Sequence, residues 1–285
     1  MNPPHSHLLL IVVGAFVGAG AASTAALWFA GFFPSAELSG LAPYCNVLRL
    51  PVYGTIVTVR PQSESQDQMS APDDAEPTSA WDTTFAVSSE IEDSLRMASA
   101  DPNVKALLVD VDSGGGGAVA GIEIAAAIKK FGKPSAAIIH EMGASSGYLV
   151  AAAADTVFAS EASSVGSIGT TYSYVSQYEK NKKEGYTFES LSSGPYKDMF
   201  SADKPLTDDE RALIMRDIKV DRDNFVKRVA EYRDQPVEKI DALADGSTML
   251  GQQALESGLI DSLGGTEEAL AYLEQAIGEP PVLCY

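Results

Sequence analysis

Histidine, cysteine and basic residues are all scarce in this 285-residue chain, and each shortage narrows what it can do. Of three histidines, His5 and His7 precede an apolar run near the N-terminus, which leaves His140 in the body of the chain. A Ser-His-Asp triad or a histidine metal cluster has little to build on. The two cysteines, Cys45 and Cys284, have neither metal-cluster spacing nor a Cys-x-x-Cys redox pattern. A long-range disulfide outside the cytoplasm and two separate thiols both remain open. Against 39 acidic residues there are only 20 basic ones, and the net charge of −19 argues against nucleic acid or an anionic membrane surface as partner. No fixed-period repeat occurs. Nothing calls for a metal, nucleotide or other cofactor.

Charge is missing altogether from Leu8 to Phe33. A helix needs about 20 such residues to cross a bilayer, and Trp28, Phe29, Phe32 and Phe33 suit its interface. A cleaved signal peptide is the rival reading. The length of the run, and the absence of any Lys or Arg before it, favour an uncleaved anchor. Gly14 and Gly18 have the spacing that lets two such helices pack closely. Because the first basic residue is Arg49, charge does not set the orientation. The organisation expected is a membrane anchor over 1–34 and one domain over 35–285, with a mobile acidic loop at 61–82, where apolar residues are too few to offset ordering entropy.

The rest alternates strand, turn and helix. Strands are predicted over Asn46 to Val59, Val104 to Asp112, Ser135 to Ile139 and Thr156 to Ala159. Helices are predicted over Ser88 to Ala100, with Ser89 as a cap, Val119 to Phe131 and Ala144 to Ala153. Thr207-Asp208-Asp209-Glu210 reads as a capping box opening a long amphipathic helix, with shorter helices over 236–243, 251–257 and 266–276. Unbroken apolar strands of this kind belong to parallel sheets, so the fold class is α/β.

Two segments carry chemistry. Met142-Gly143-Ala144-Ser145-Ser146-Gly147-Tyr148 sets a serine at the first turn of a small-residue helix, where a peptide backbone can approach and developing negative charge is favoured. Asp112-Ser113-Gly114-Gly115-Gly116-Gly117 follows a buried strand with glycines whose N–H groups are free to hold an oxyanion. No Gly-Lys-Ser/Thr follows, so a phosphate-binding P-loop is excluded. His140 lies five residues before Ser145 but has no evident Asp partner, and reads as a loop residue rather than a base.

In order along the chain, "ADPNVKALLVDVDSGGGG", "GKPSAAIIHEMGASSGYLVAAAAD", "SSVGSIGT", "SSGPYKDMFS" and "DGSTMLGQQALESGLIDSLGG" resemble the blocks of the signal peptide peptidase A (SppA) family. The resemblance runs from about Val47 to Leu270 and implies a ClpP/crotonase-like fold. It further implies a membrane-anchored serine endopeptidase with a Ser-Lys dyad, its domain outside the cytoplasm. The family's Met-x-Ala-Ser-x-Gly-Tyr matches Met142, Ala144, Ser145, Gly147 and Tyr148, making Ser145 rather than Ser146 the nucleophile. Its Gly-x-x-Lys matches Gly194 and Lys197, making Lys197 the base. A lysine serves only if desolvation lowers its pKa from about 10.4 toward neutrality. The other lysines weighed for the role lie in charged clusters, as Lys129, Lys130, Lys180, Lys182 and Lys183 do, or on the long helix, as Lys219 and Lys227 do.

Gly115 and Gly116 are expected to form the oxyanion hole, and Ser167 to orient the lysine. One departure is Gly114, where the family usually has Pro, a change that loosens the turn. The resemblance also implies homo-oligomers whose serine and lysine meet across protomers, and apolar peptide substrates near the membrane, such as signal-peptide remnants or misfolded segments. The alternatives are an inactive scaffold of the same fold and an acyl-CoA enzyme of the crotonase type. No basic adenine-nucleotide site is seen for the latter.

Overall fold

Alternate residues of an extended chain turn to opposite sides, and in the strand that follows Cys45 both sides are apolar: β1 (Val47–Val57) buries Leu50, Val52 and Ile56 one way and Val47 the other. The computed structural model describes residues 45–61 and 84–284, all within a unit spanning Tyr44–Tyr285. The apolar run 8–33 and nearly all of the acidic segment 61–82 lie outside the described residues. Among these, no helix is long and apolar enough to cross a membrane.

After β2 (Phe85–Val87) and α1 (Ser88–Ala100) come β3 (Ala106–Gly116), α2 (Ala118–Lys130), β4 (Ser135–Ala144), α3 (Ser146–Ala152), β5 (Thr156–Ala159) and β6 (Ser164–Gly166). The C-terminal part holds α4 (Tyr178–Lys183), α5 (Asp208–Tyr232), α6 (Val237–Leu243), β7 (Thr248–Leu250), α7 (Gly251–Ser257), β8 (Ser262–Leu263), α8 (Thr266–Ile277) and β9 (Leu283–Cys284). The strands lie in the order β2-β1-β3-β4-β5-β8, with β6 beside β4 and β9 beside β1. Every pairing is parallel except β6 with β7, so the sheet is mixed around a parallel centre. This is the α/β class the alternating pattern predicts.

Helices cover both faces. Leu107, Val109 and Val111 of β3 meet Ile124 of α2, Tyr148 of α3 and Val226 of α5 on one face. Ala106, Leu108, Ala136 and Ile138 lie under Ala269 and Leu273 of α8 on the other. The two halves of the long β3 and β4 differ. Their first residues are buried on both faces, whereas their C-terminal ends carry Asp110, Asp112 and His140 on the α8 side.

Several boundaries depart from the sequence reading, among them that of β3, which runs past Asp112 through the glycines to Gly116. β4 runs past Ile139 to Ala144 because Met142, Gly143 and Ala144 find a partner in β6, a pairing that local apolar periodicity does not encode. The helix expected from Ala144 accordingly starts at Ser146. Ser89 is not a cap: Val87 holds that position without a side-chain bond, and Ser88 Oγ instead donates to Glu123 Oε2 at 2.5 Å.

Cys45 and Cys284 form a disulfide across a sequence separation of 239, fastening β9 against the start of β1. The capping box at Thr207 forms as predicted. Glu210 N–H donates to Thr207 Oγ1 at 3.3 Å, and Thr207 N–H donates to Glu210 Oε2 at 2.9 Å. Glu210 is buried, and Lys204 Nζ reaches its Oε1 at 2.5 Å. That ammonium, then the Thr207 amide, hold the carboxyl below the usual carboxylate range. A carboxyl whose folded pKa is lowered adds stability that is fully present above its unfolded pKa of about 4.3 and fades as pH falls through the folded value. Glu210→Ala should therefore lower unfolding free energy by about 1–3 kcal/mol at pH 7. In denaturant unfolding across pH, the gap from wild type should narrow below about pH 4.

Candidate active site

Ser145 occupies the corner where β4 turns into α3, at φ 53° and ψ −127°, a conformation that L side chains seldom adopt. Its N–H donates to Gly166 O of β6 at 2.8 Å, and its carbonyl accepts from Leu149 N at 3.0 Å. Both bonds fix the corner. α3 is buried along its whole length, and Tyr148 Oη donates to Leu259 O at 2.8 Å. Burial pushes the Tyr148 phenol far up, so it remains a neutral donor.

The glycine turn presses against this corner. A Cβ on Gly115 would stand 2.8 Å from Ser145 Cβ and 3.0 Å from Ala144 O, at a φ of +101° that already excludes most side chains. Gly121 and Gly147 are also tight: added Cβ atoms would reach Ser146 Cβ at 2.7 Å and Ser113 O at 2.7 Å. Small residues around the serine are thus required by packing between β3, α2 and α3.

The two predicted oxyanion donors differ. Gly115 is buried and its N–H donates to Ser113 Oγ at 3.0 Å, a bond that sequence could not reveal. Gly116 is exposed and lines the same cleft as Ser145. Gly117 N–H bonds Ile56 O at 2.8 Å, whereas Gly116 O faces Ser146 Oγ at 3.4 Å. These two groups are the ends of one peptide, which carries its N–H to β1 and its carbonyl to the serine side. Ser146 itself is buried with its hydroxyl on the turn carbonyls, which leaves Ser145 as the accessible hydroxyl of the two.

The cleft over Ser145 encloses about 630 Å3. Gly116, Ser167 and Gly169 border it, α2 contributes Ile122, α3 contributes Leu149, and α5 supplies Asp221, Arg222, Phe225 and Arg228. Ser167 stands at φ 51° and donates from Oγ to Gly246 O at 3.0 Å. Ser145 Oγ makes no hydrogen bond with another described residue, and among the described residues no lysine or histidine lines the cleft. Lys197 lies elsewhere, in the exposed stretch between α4 and α5, with its ammonium unpaired among the described residues. Sequence reasoning missed the α5 wall, since charged residues on a long helix ordinarily face water.

His140 does have an acidic partner, contrary to the sequence reading, but on the wrong side. Its Nε2 donates to Asp110 Oδ1 at 2.5 Å. The same carboxylate accepts from Arg49 Nε at 2.6 Å and Tyr53 Oη at 2.7 Å. All four groups sit on the α8 face, with the sheet between them and the cleft. Burial first, then the Asp110 bond, push the Tyr53 phenol up to about 12, and burial also raises the Asp112 carboxyl.

Comparisons with known proteins bear on the whole region. The model of peptidase family S49 matches residues 127–278, more than half of the chain. A Methanocaldococcus jannaschii protein provisionally named a protease is 33% identical over 189 residues, covering 65% of this chain and 61% of the relative. A provisionally named signal peptide peptidase SppA of Enterococcus faecium is 35% identical, covering 64% and 54%. Protease 4 of Haemophilus influenzae is 31% identical, covering 65% and 30%. The chain thus matches less than two thirds of the length of these relatives. Among solved structures, a ClpP1 mutant from Listeria monocytogenes aligns with a TM-score of 0.47 and 14% identity, covering 78% of this chain and 93% of that one.

Overpacking at the corner costs about 1–3 kcal/mol and a side chain at this positive φ about 1–3 more, together enough for a tenfold or greater loss of reactivity. Gly115→Ala should therefore reduce labelling of Ser145 by a serine-directed phosphonate at least about tenfold. Gly114→Ala, whose Cβ would meet only Met142 Sδ at 3.5 Å, should stay within about twofold of wild type, read by mass spectrometry of the labelled peptide.

Proposed function

The chain belongs to peptidase family S49, and from that premise we propose that it is a serine endopeptidase in which Ser145 attacks a peptide carbonyl and Lys197 of a neighbouring copy takes its proton. The observation that carries this reading is the state of Ser145. It is an accessible hydroxyl on a strained corner, bordered by the exposed Gly116, in a cleft that no histidine or lysine among the described residues lines. A base must then come from elsewhere, and a second copy of the chain can bring one.

Three features support Lys197 in that role. It lies in the segment that matches the family's lysine block. Its neighbours Tyr186, Phe188, Leu191, Tyr196 and Phe200 are exposed large apolar residues, and an apolar surface of that kind marks a contact face. Packing against another protomer would also remove water from the ammonium, which lowers a lysine pKa toward the range a general base needs. Ser167 would then fix the lysine or the bound peptide.

The oxyanion would be held by the N–H groups of Gly116 and Ser146, since Gly115 N–H is committed to Ser113 Oγ. The first N–H groups of a helix lack intrahelical acceptors, and each oxyanion donor is worth about 3–4 kcal/mol. In the reaction, Ser145 Oγ forms a bond to the carbonyl carbon as its proton passes to Lys197. Collapse of the tetrahedral adduct breaks the peptide bond, and the lysine returns the proton to the leaving amine. Water then hydrolyses the acyl-enzyme by the same route.

The ClpP/crotonase-like arrangement, the oligomer and the membrane setting belong to the same proposal. The apolar run 8–33 would anchor the chain in the cell membrane as a single pass. The Cys45–Cys284 disulfide favours an extracytoplasmic domain, because such bonds persist in oxidising compartments. Substrates would be apolar peptides near the membrane. An inactive scaffold remains the second reading, favoured by the separation of Lys197 from the cleft.

On fluorogenic apolar peptides, Ser145→Ala and Lys197→Ala should each lower kcat by a factor of about 10^3 or more, the scale of losing a nucleophile or its base. His140→Ala should remain within about twofold, because the sheet separates it from the cleft. Full activity in Lys197→Ala would overturn the dyad, and an inert wild type would favour the scaffold.

A further inference from the structure

α5 forms one wall of the Ser145 cleft, and Asp221, Phe225 and Arg228 line it from a single face. Steps of four and three residues stack them over two turns, about 10 Å along the helix axis. Phe225 packs on the core, and with Ile122 and Leu149 it gives the cleft an apolar floor.

The half-buried arginines of α5 are not equally satisfied. Arg222, in the same cleft, donates to Asp241 Oδ1 at 2.7 Å, Asp241 O at 3.1 Å and Ala244 O at 3.1 Å. Arg233, buried just after α5, holds Asp261 Oδ1 at 2.6 Å and Gly258 O at 3.4 Å. Arg228 is half-buried too, yet its guanidinium has no hydrogen bond or ion pair with any described residue. Such a group carries five N–H donors in a rigid fork matched to a carboxylate. Folding has placed it in the cleft with those donors unused.

We infer that Arg228 is a specificity-determining residue that takes a carboxylate of the peptide, while a neighbouring apolar side chain of the same peptide fills the floor made by Phe225, Leu149 and Ile122. The inference rests on the peptidase reading of Ser145. Two acidic residues share the cleft. Asp245 already accepts from Ser247 N at 2.8 Å and Ser247 Oγ at 2.6 Å. Asp221 stands two turns from Arg228, beyond a screening length of about 8 Å at physiological salt. With the Arg222 charge taken up by Asp241, the α5 wall carries two charges of opposite sign unpaired among the described residues, Asp221 and Arg228, on either side of Phe225, which selects the register of the peptide as well as its composition. An acidic side chain and the C-terminal carboxylate of a peptide offer the same chemistry.

The test uses the full-length, detergent-solubilised protein and four peptides sharing one apolar core, with Glu or Gln beside it and a free or amidated C-terminus. A carboxylate should raise kcat/KM roughly tenfold through KM, as a charge-assisted pair would. Arg228→Gln should bring that ratio to about one, and Arg228→Lys should keep part of it. Preference that follows Glu identifies a side chain as the source, and preference that follows the free terminus identifies the chain end. Binding of the same peptides, fluorescently labelled, to Ser145→Ala reads the ratio without turnover, so a failure of the peptidase reading shows as absent hydrolysis with the binding preference intact. Equal binding of acidic and neutral peptides, or a preference that survives in Arg228→Gln, overturns the inference.

Discussion

The corner at Ser145 is the constraint on which the site depends. A non-glycine residue at φ 53° costs about 1–3 kcal/mol and persists only where the surroundings impose it, as they do here. The Ser145 amide is held by Gly166 of β6, the chain on one side is the buried pair Gly143 and Ala144 that ends β4, and the chain on the other is a helix with no exposed residue. Burial of Tyr148, Leu149 and Val150 offsets the strain, since each such side chain contributes about 1.5–3 kcal/mol. Gly115 of β3 follows from the same constraint, because only a residue without a side chain can lie against the corner there.

Strand alternation decides what the chemistry can use. His140 is near Ser145 in sequence, and it has an acidic partner, but even-numbered residues of this part of β4 face α8. The cleft lies on the face of α2, α3 and α5. A pair that would read as two members of a triad is therefore a structural cluster, with Asp110 accepting from Arg49, Tyr53 and His140 on the far side of the sheet. This arrangement leaves the serine without a base from its own sheet.

Much of this was legible in the sequence wherever one segment carried its own pattern. Unbroken apolar runs announced β3 and β5, and the Thr207–Glu210 spacing announced the start of α5. The packing demand on the small residues around Ser145 was visible as composition. What was not legible depends on pairing between distant segments: the extension of β4 by β6, the Ser113 hydroxyl that takes up the Gly115 amide, and the Asp110 partner of His140. The role of α5 was hidden for a similar reason. Its charged residues look solvated until the fold sets Asp221, Phe225 and Arg228 over the cleft.

If Ser145 and Lys197 meet between copies of the chain, as proposed, mixing of inactive subunits should restore the site. Ser145→Ala and Lys197→Ala protomers, each inactive alone, are dissociated, combined and reassembled, and hydrolysis of an apolar fluorogenic peptide is followed. Activity should return in the mixture, because some interfaces then join an intact Ser145 to an intact Lys197. A mixture as inert as its components, while wild type taken through the same treatment regains full activity, would contradict it.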